Sequence, residues 1–173
     1  MRITVIGAGV IGAACAEALA ADGHAVHMLD MRGPGRGASQ ASAGVLAPFI
    51  EGHHGDPLLD WCIESLALYD AFIARVREGS GRAVEYARTG TIEVALTESH
   101  EAQLKAAAAV ARAHGVTAEW LDAAAAHALD PAISANTRGA LHIPTHGFVH
   151  VPQLVQALVQ SATLRGDRKS TRL

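Results

Sequence analysis

Apolar positions change their spacing several times along the chain, and each change marks an element. Arg2-Ile3-Thr4-Val5-Ile6 is a short β-rich run, followed by a glycine-rich turn from Gly7 to Gly12. Ile11, Cys15, Ala18 and Leu19 then recur at helical spacing until Gly23, which predicts a helix with those residues on its buried side. Ala25-Val26-His27-Met28-Leu29 reads as a second strand closing on Asp30. Strand, glycine turn, helix and strand make a βαβ unit, with the right-handed crossover such units take. Residues 31–48 are rich in Gly, Ala, Ser and Pro, the composition of a linker. Asp56-Pro57 predicts the start of a long helix, Asp as N-cap and Pro in the first turn. Leu58, Cys62, Leu66, Tyr69, Ile73 and Val76 form its expected buried stripe, and Gly79-Ser80-Gly81 stops it.

The period then shortens to two. Val84–Arg88 and Thr91–Leu96 alternate and read as a hairpin across Thr89-Gly90. An Ala-rich helix is expected from about Ser99 to His114, capped by Gly115, then a strand over Val116–Leu121 and a short helix from Asp122. Gly139–Ile143 and Phe148–His150 read as a second strand pair around Pro144 and Gly147. A last helix from Pro152 is expected to present Leu154, Val155, Leu158 and Val159 on an apolar face. Antiparallel pieces following a βαβ start imply two interleaved domains, one for a nucleotide and one roofing a substrate site.

Composition narrows the class. Half of the 173 residues are hydrophobic, 18% are charged, and the net charge is −3, a globular profile. Arg165, Arg168, Lys169 and Arg172 crowd the end, leaving ten basic and sixteen acidic residues, a net of −6, on residues 1–164. Nucleic acid is an unlikely partner for such a body. The apolar start could pass for a signal peptide, but Gly7, Gly9, Gly12 and Glu17 interrupt it, and no other run is long enough to span a bilayer. The expected location is cytoplasmic. Cys15 and Cys62, both in apolar helical patterns, are expected to be buried reduced thiols. The ten histidines show no metal-ligand spacing, so no metal site is assigned.

Gly7-Ala8-Gly9-Val10-Ile11-Gly12 fits GxGxxG after a strand and at the opening of a helix. Gly7 allows the tight turn, Gly9 lets backbone approach a pyrophosphate, and Gly12 lets helix and strand pack closely. The helix N-terminus offers free N–H groups and its positive dipole end. Asp30 ends the second strand where a ribose-binding acid belongs. These residues do not separate NAD from FAD.

The next segment does. Gly37, Ala38, Ser39, Ala43, Gly44, Leu46 and Pro48 resemble the flavin-binding stretch of the FAD-dependent amino-acid oxidoreductases of the glycine oxidase and D-amino-acid dehydrogenase type. Small side chains there suit close approach of backbone N–H groups to an isoalloxazine edge. The resemblance runs on through Glu64–Tyr69, Arg88–Ala95, Asp130-Pro131 and Gly139–Val149, covering about residues 2–164.

The resemblance implies an α/β fold: a Rossmann-type FAD-binding domain with an interleaved α+β substrate domain built on an antiparallel sheet. The expected segments are 1–80 for the FAD domain, 81–150 for the substrate domain and 151–166 for a helix returning to the FAD domain. Cofactor contacts are expected from Gly7, Gly9, Val10, Ile11, Gly12, Asp30, Met31, Ala38, Ser39, Ala43, Gly44 and Val45. The implied reaction is oxidation of a small amine or amino acid, glycine or a D-amino acid, to its imine by hydride transfer to flavin, with O₂ or another acceptor reoxidising it. Glycine oxidase of thiamine biosynthesis is the first choice within the family, and sarcosine-oxidase-like enzymes are close to it. Members need no dedicated protein base, so no catalytic residue is assigned, and Arg32, Arg36, His142, His146 and His150 are left as structural residues. Homo-oligomerisation stays open.

Family chains are longer, so this one is expected to be an N-terminal, truncated part that has no turnover alone, with 167–173 a non-native tail and the Pro152 helix face lacking partners. An NAD-dependent dehydrogenase and a non-catalytic dinucleotide-binding module are the alternatives.

Overall fold

A computed structural model of the chain describes residues 1–51 and 58–167. The expected N-cap and proline at Asp56-Pro57, and the expected tail from residue 168 on, lie outside the described residues. The chain divides into two compact units. One comprises Met1–Val45, Ala67–Tyr86 and the segment from Val149 onward; the other comprises the described parts of Leu46–Leu66 and Ala87–Phe148. The architecture is mixed α/β with antiparallel pairing in the second unit, as expected.

In the first unit, β1 (Arg2–Ile6) and β2 (Ala25–Leu29) pair in parallel, Arg2 opposite Ala25 through Ile6 opposite Leu29, with α1 (Val10–Ala21) as the crossover. The helix is oriented differently from its sequence reading. Its buried residues are Ala13, Ala16, Glu17 and Ala20, while Ile11 is 79% exposed and Cys15 is exposed. Ala13 lies about 200° round the helix from Ile11, so the two stripes are nearly opposite. The small alanines face α7 (Val151–Asp167), and Ala16, Ala20, Val26 and Ala162 share one core cluster. On α7, Leu154, Val155 and Leu158 are buried and Val159 only partly so. The expected orphan face of this helix is therefore covered, by α1. Each such aliphatic side chain contributes about 1.5–3 kcal/mol through burial.

Glu17 is fully buried in this contact and is not left alone. Its carboxylate meets Arg75 of α4 (Leu59–Ser80), accepts from the Ser161 hydroxyl at 3.1 Å, and has Arg165 Nε at 3.5 Å. The expected stripe of α4 holds over most of its length: Leu66, Ile73 and Val76 are buried and Tyr69 partly so, and only at the start does it fail, where Leu59 is buried while Leu58 is 61% exposed and Cys62 is exposed. Both cysteines are thus free but not buried.

The segment with a linker's composition is folded. It contains α2 (Ala38–Ala41), β3 (Val45–Leu46) and α3 (Pro48–Glu51). The expected hairpin across Thr89-Gly90 does not form. β4 (Tyr86–Ala87) joins a small sheet of order β3-β8-β4, while β5 (Thr91–Ala95) joins another of order β5-β7-β6. Gly90, at φ +75°, sends its N–H to the His146 carbonyl instead of across a turn, which parts the two strands. For the same reason of sheet membership, β7 (Gly139–Ile143) and β8 (Gly147–Val149) do not pair with each other.

In the second unit β7 is the central strand, antiparallel to β5 and to β6 (Glu119–Leu121), which is shorter than the run from Val116 suggests. Leu104, Ala108 and Ala111 of α5 (Glu98–Ala113) pack with Leu141, Ile143, Phe49 and Leu59 into one core. Thr97 caps α5 by accepting from the His100 amide, Gly115 follows it at φ +76°, and Asp122 caps α6 (Ala123–Leu129) by accepting from the Ala125 amide.

Candidate functional site

The glycine turn between β1 and α1 is tightly built. Gly7 has φ +98°, open to glycine and strained for other residues. A β-carbon on Gly12 would sit 2.0 Å from the Gly7 carbonyl oxygen, so that position admits only glycine at this helix–strand spacing. The first intrahelical bond of α1 runs from the Ala13 amide to the Gly9 carbonyl, at 2.9 Å. The amides of Ile11 and Gly12 therefore have no acceptor within the helix. The first turn carries no acidic residue, and Gly9 has no side chain to cap it. This end of α1 is suited to an anion.

Four hydrogen bonds brace the turn from the following segment. Gly7 N–H donates to the Leu29 carbonyl (2.8 Å), Ala8 N–H to Asp30 Oδ2 (2.8 Å), Gly35 N–H to the Ala8 carbonyl (2.8 Å) and Val10 N–H to Ser39 Oγ (2.9 Å). Asp30 also accepts from the Arg32 amide through Oδ1 at 2.8 Å. The Ala8 bond first, and the Arg32 bond next, hold the Asp30 carboxyl below the usual carboxylate range, so it is an anion at neutral pH. With the Ala8, Arg32 and Gly33 amides on it, the carboxylate still has acceptor capacity for one ribose hydroxyl.

A cleft of about 610 Å³ opens beside the turn. It brings together Gly7, Gly9, Val10, Ile11, Gly12, Ala38 and Ser39 of the expected cofactor residues. Val5, Ile6, Cys15 and Ser42 line it too, and sequence reasoning missed them. Two carried a readable signal: Cys15 lies one turn after Ile11, and Ser42 lies three residues after Ser39. Asp30, Met31, Ala43, Gly44 and Val45 do not line the cleft. Met31 is 95% exposed and Ala43 and Val45 are exposed, while Gly44 is buried. Gly44 has φ +72°, a β-carbon on it would lie 1.8 Å from the Val149 carbonyl oxygen, and its own carbonyl accepts from the Val149 amide at 2.9 Å. Its smallness is explained by β8.

The three histidines set aside above have local partners. His146 is fully buried, its Nδ1 is 2.7 Å from the Thr91 hydroxyl, and its ring stacks on Phe49 with centroids 5.9 Å apart. Burial, with the Arg88 guanidinium adding to it, pushes the His146 pKa down to about 4. His142 Nδ1 lies 3.5 Å from Glu119, and His150 Nδ1 accepts from the Gln153 amide in the first turn of α7. Among the described residues no group of His, Cys, Asp and Glu side chains could hold a metal ion.

A parallel strand pair with a helical crossover, a glycine turn closed on an open helix end and an acid after the second strand define a dinucleotide-binding protein. Within that class, the chain belongs to the FAD dependent oxidoreductase (DAO) family, whose model matches residues 2–168. It is 33% identical over 165 residues to a glycine oxidase of Geobacillus kaustophilus, a match that covers 95% of this chain and 44% of that protein. The crystal structure of glycine oxidase from Geobacillus kaustophilus superimposes with a TM-score of 0.90 at 32% identity, over 95% of this chain and 45% of that one. A D-amino acid dehydrogenase 2 of Mesorhizobium japonicum is 53% identical over 49 residues, 28% of this chain and 12% of that protein. The chain thus spans under half the length of the glycine oxidase it matches. The family's cofactor is FAD, which sets the nicotinamide alternative aside.

Proposed function

We propose that this chain forms the cofactor-binding part, and some of the substrate-side part, of an enzyme that oxidises a small amine or amino acid to its imine. The observation that carries the reading is the α1 end itself: uncapped by its own N-cap residue, free of acidic side chains and braced by Asp30 and Ser39, in a chain one-third identical to a glycine oxidase. FAD, when bound, supplies the two-electron acceptor for the hydride that leaves the substrate Cα. The chain's own residues bind and orient. In this reading the Ile11 and Gly12 amides face the pyrophosphate, Asp30 holds the adenosine ribose, and Ala38, which lines the cleft, keeps its side chain clear of the ring system. Met31 and Val45 are assigned contacts through their backbones, their side chains being exposed.

Residues 1–80 and 151–166 are assigned to the FAD domain and 81–150 to the substrate domain. The reading includes O₂ or another electron acceptor as second substrate, and a cytoplasmic location, which the two free thiols support. No helix among the described residues is long and apolar enough to cross a membrane. Glycine is the first substrate to try, given the glycine oxidase match, and D-alanine is the second, given the dehydrogenase match.

The test is to purify the protein, denature it and chromatograph what it releases. FAD is the expected product, and NAD(P) or FMN would sink the reading, since FMN lacks the ribose that Asp30 holds. In an enzyme of the relatives' full length that contains this chain, peroxide production and dye reduction with glycine, sarcosine and D-alanine then separate oxidase from dehydrogenase; this chain alone is expected to turn over none of them.

A further inference from the structure

We propose that Ser39 is a positioning residue for the cofactor, acting as an N-cap for α1 supplied from 29 residues away. The proposal rests on the FAD-binding reading above and adds a role that reading does not contain. Gly9 stands at the N-cap of α1 in extended backbone, φ −71° and ψ −179°, as N-cap residues do, but has no side chain to satisfy the orphan amides behind it. Ser39 does this instead: its Oγ accepts from the Val10 amide at 2.9 Å. The hydroxyl is in a built environment, Ser39 being only 9% exposed. A β-carbon on Gly9 would come within 3.1 Å of that same Oγ, so the bare N-cap is what admits the serine.

The partner helix does not explain the placement. α2 is a single turn, too short to be stable by itself. What holds Ser39 in position is the pinning of its segment at both ends, by the Gly35 amide on the Ala8 carbonyl and by Gly44 against β8. The segment so pinned holds the Ser39 hydroxyl on the Val10 amide, and that bond in turn orders the first turn of α1 beside the Ile11 and Gly12 amides. A hydroxyl that accepts from Val10 still has a proton to donate, and Ser39 lines the cleft. Ser39 can therefore keep α1 capped and offer its own O–H to an anion at once, which a backbone cap could not.

The experiment compares the wild-type protein with Ser39→Ala and Ser39→Thr by two readouts. Amide hydrogen exchange of Val10, without flavin, reports the cap, and quenching of FAD fluorescence reports affinity. Ser39→Ala should speed Val10 exchange roughly five- to tenfold relative to the middle of α1, the scale of a lost N-cap. It should also weaken FAD binding by about the same factor, because both depend on the same ordered turn. Ser39→Thr keeps the acceptor and should restore both. Should the threonine methyl prevent folding, Gly9→Ala serves in its place: its β-carbon displaces the hydroxyl and should speed Val10 exchange just as Ser39→Ala does, with little further effect in the double variant. Wild-type exchange at Val10 in Ser39→Ala overturns the proposal, and so does faster exchange with unchanged FAD affinity. A wild-type protein that quenches no FAD overturns the cofactor reading, and the proposal falls with it, whereas the exchange result at Val10 fails or holds independently.

Discussion

His146 is the group whose burial should be easiest to see in solution, because its cost depends on pH. The ring is fully buried, stacked on Phe49 and bonded through Nδ1 to Thr91, and its pKa falls from 6.5 to about 4. Desolvation is the larger cause and the Arg88 charge the smaller, so the folded protein holds the imidazole neutral. The unfolded chain takes up a proton near pH 6.5 and the folded chain only near pH 4. Between those values the unfolded state binds more protons, so stability falls as pH falls, by about 1.4 kcal/mol per unit at most. Across the window the loss reaches roughly 3 kcal/mol, a large share of a total that is typically about 5–15 kcal/mol. Below pH 4 both states are protonated and the effect is complete. Carboxylates whose pKa is lowered, such as Glu101 beside Lys105 and Arg138, also lose stabilisation as pH falls, but mostly below this window. Comparison with His146→Gln, which cannot titrate, isolates the histidine. Urea unfolding of both proteins from pH 7.5 to 4 should show the wild type losing roughly 3 kcal/mol more than the variant as acid is added, whatever the gap between them at neutral pH. Parallel curves, or a His146 ring proton that titrates above pH 6 by NMR, would refute the reasoning.

Further substitutions test other contacts. Glu17→Ala removes the buried carboxylate from Arg75, Ser161 and Arg165 and should lower stability by about 2–4 kcal/mol in denaturant melts, the arginines partly regaining water; a loss under 0.5 kcal/mol would mean the cluster is not a tie between helices. Gly44→Ala forces a β-carbon to 1.8 Å from the Val149 carbonyl at a positive φ, and should cost at least ~2 kcal/mol, read by melting temperature; wild-type melting would show that β8 can give way. Asp122→Ala should cost about 1 kcal/mol through loss of the α6 cap, with Asp122→Asn near wild type, and equal losses in both would show that the cap is not the cause.

The elements that sequence alone determined are those governed by local rules. A strand, a glycine turn, a helix and a strand closing on an acid can be read from residues 1–30 because turn sterics and hydrogen-bond periodicity act over a few neighbours. The turn glycines and the Asp30 carboxylate that braces them were legible for that reason, as were the caps at Gly115 and Asp122. Tertiary structure decided which side of α1 is inner. In α1, Ile11 and Cys15 have the hydrophobicity of core residues, yet Ala13, Ala16, Glu17 and Ala20 are buried, because that side of the helix is the one that packs on α7. It also decided strand partners: β4 and β5, or β7 and β8, alternate as hairpins would, but Gly90 bonds to the His146 carbonyl and each strand joins another sheet. Gly44 shows the same division. Its glycine was legible as a requirement for close approach, but what approaches is the β8 backbone, a partner 105 residues away that no local pattern specifies.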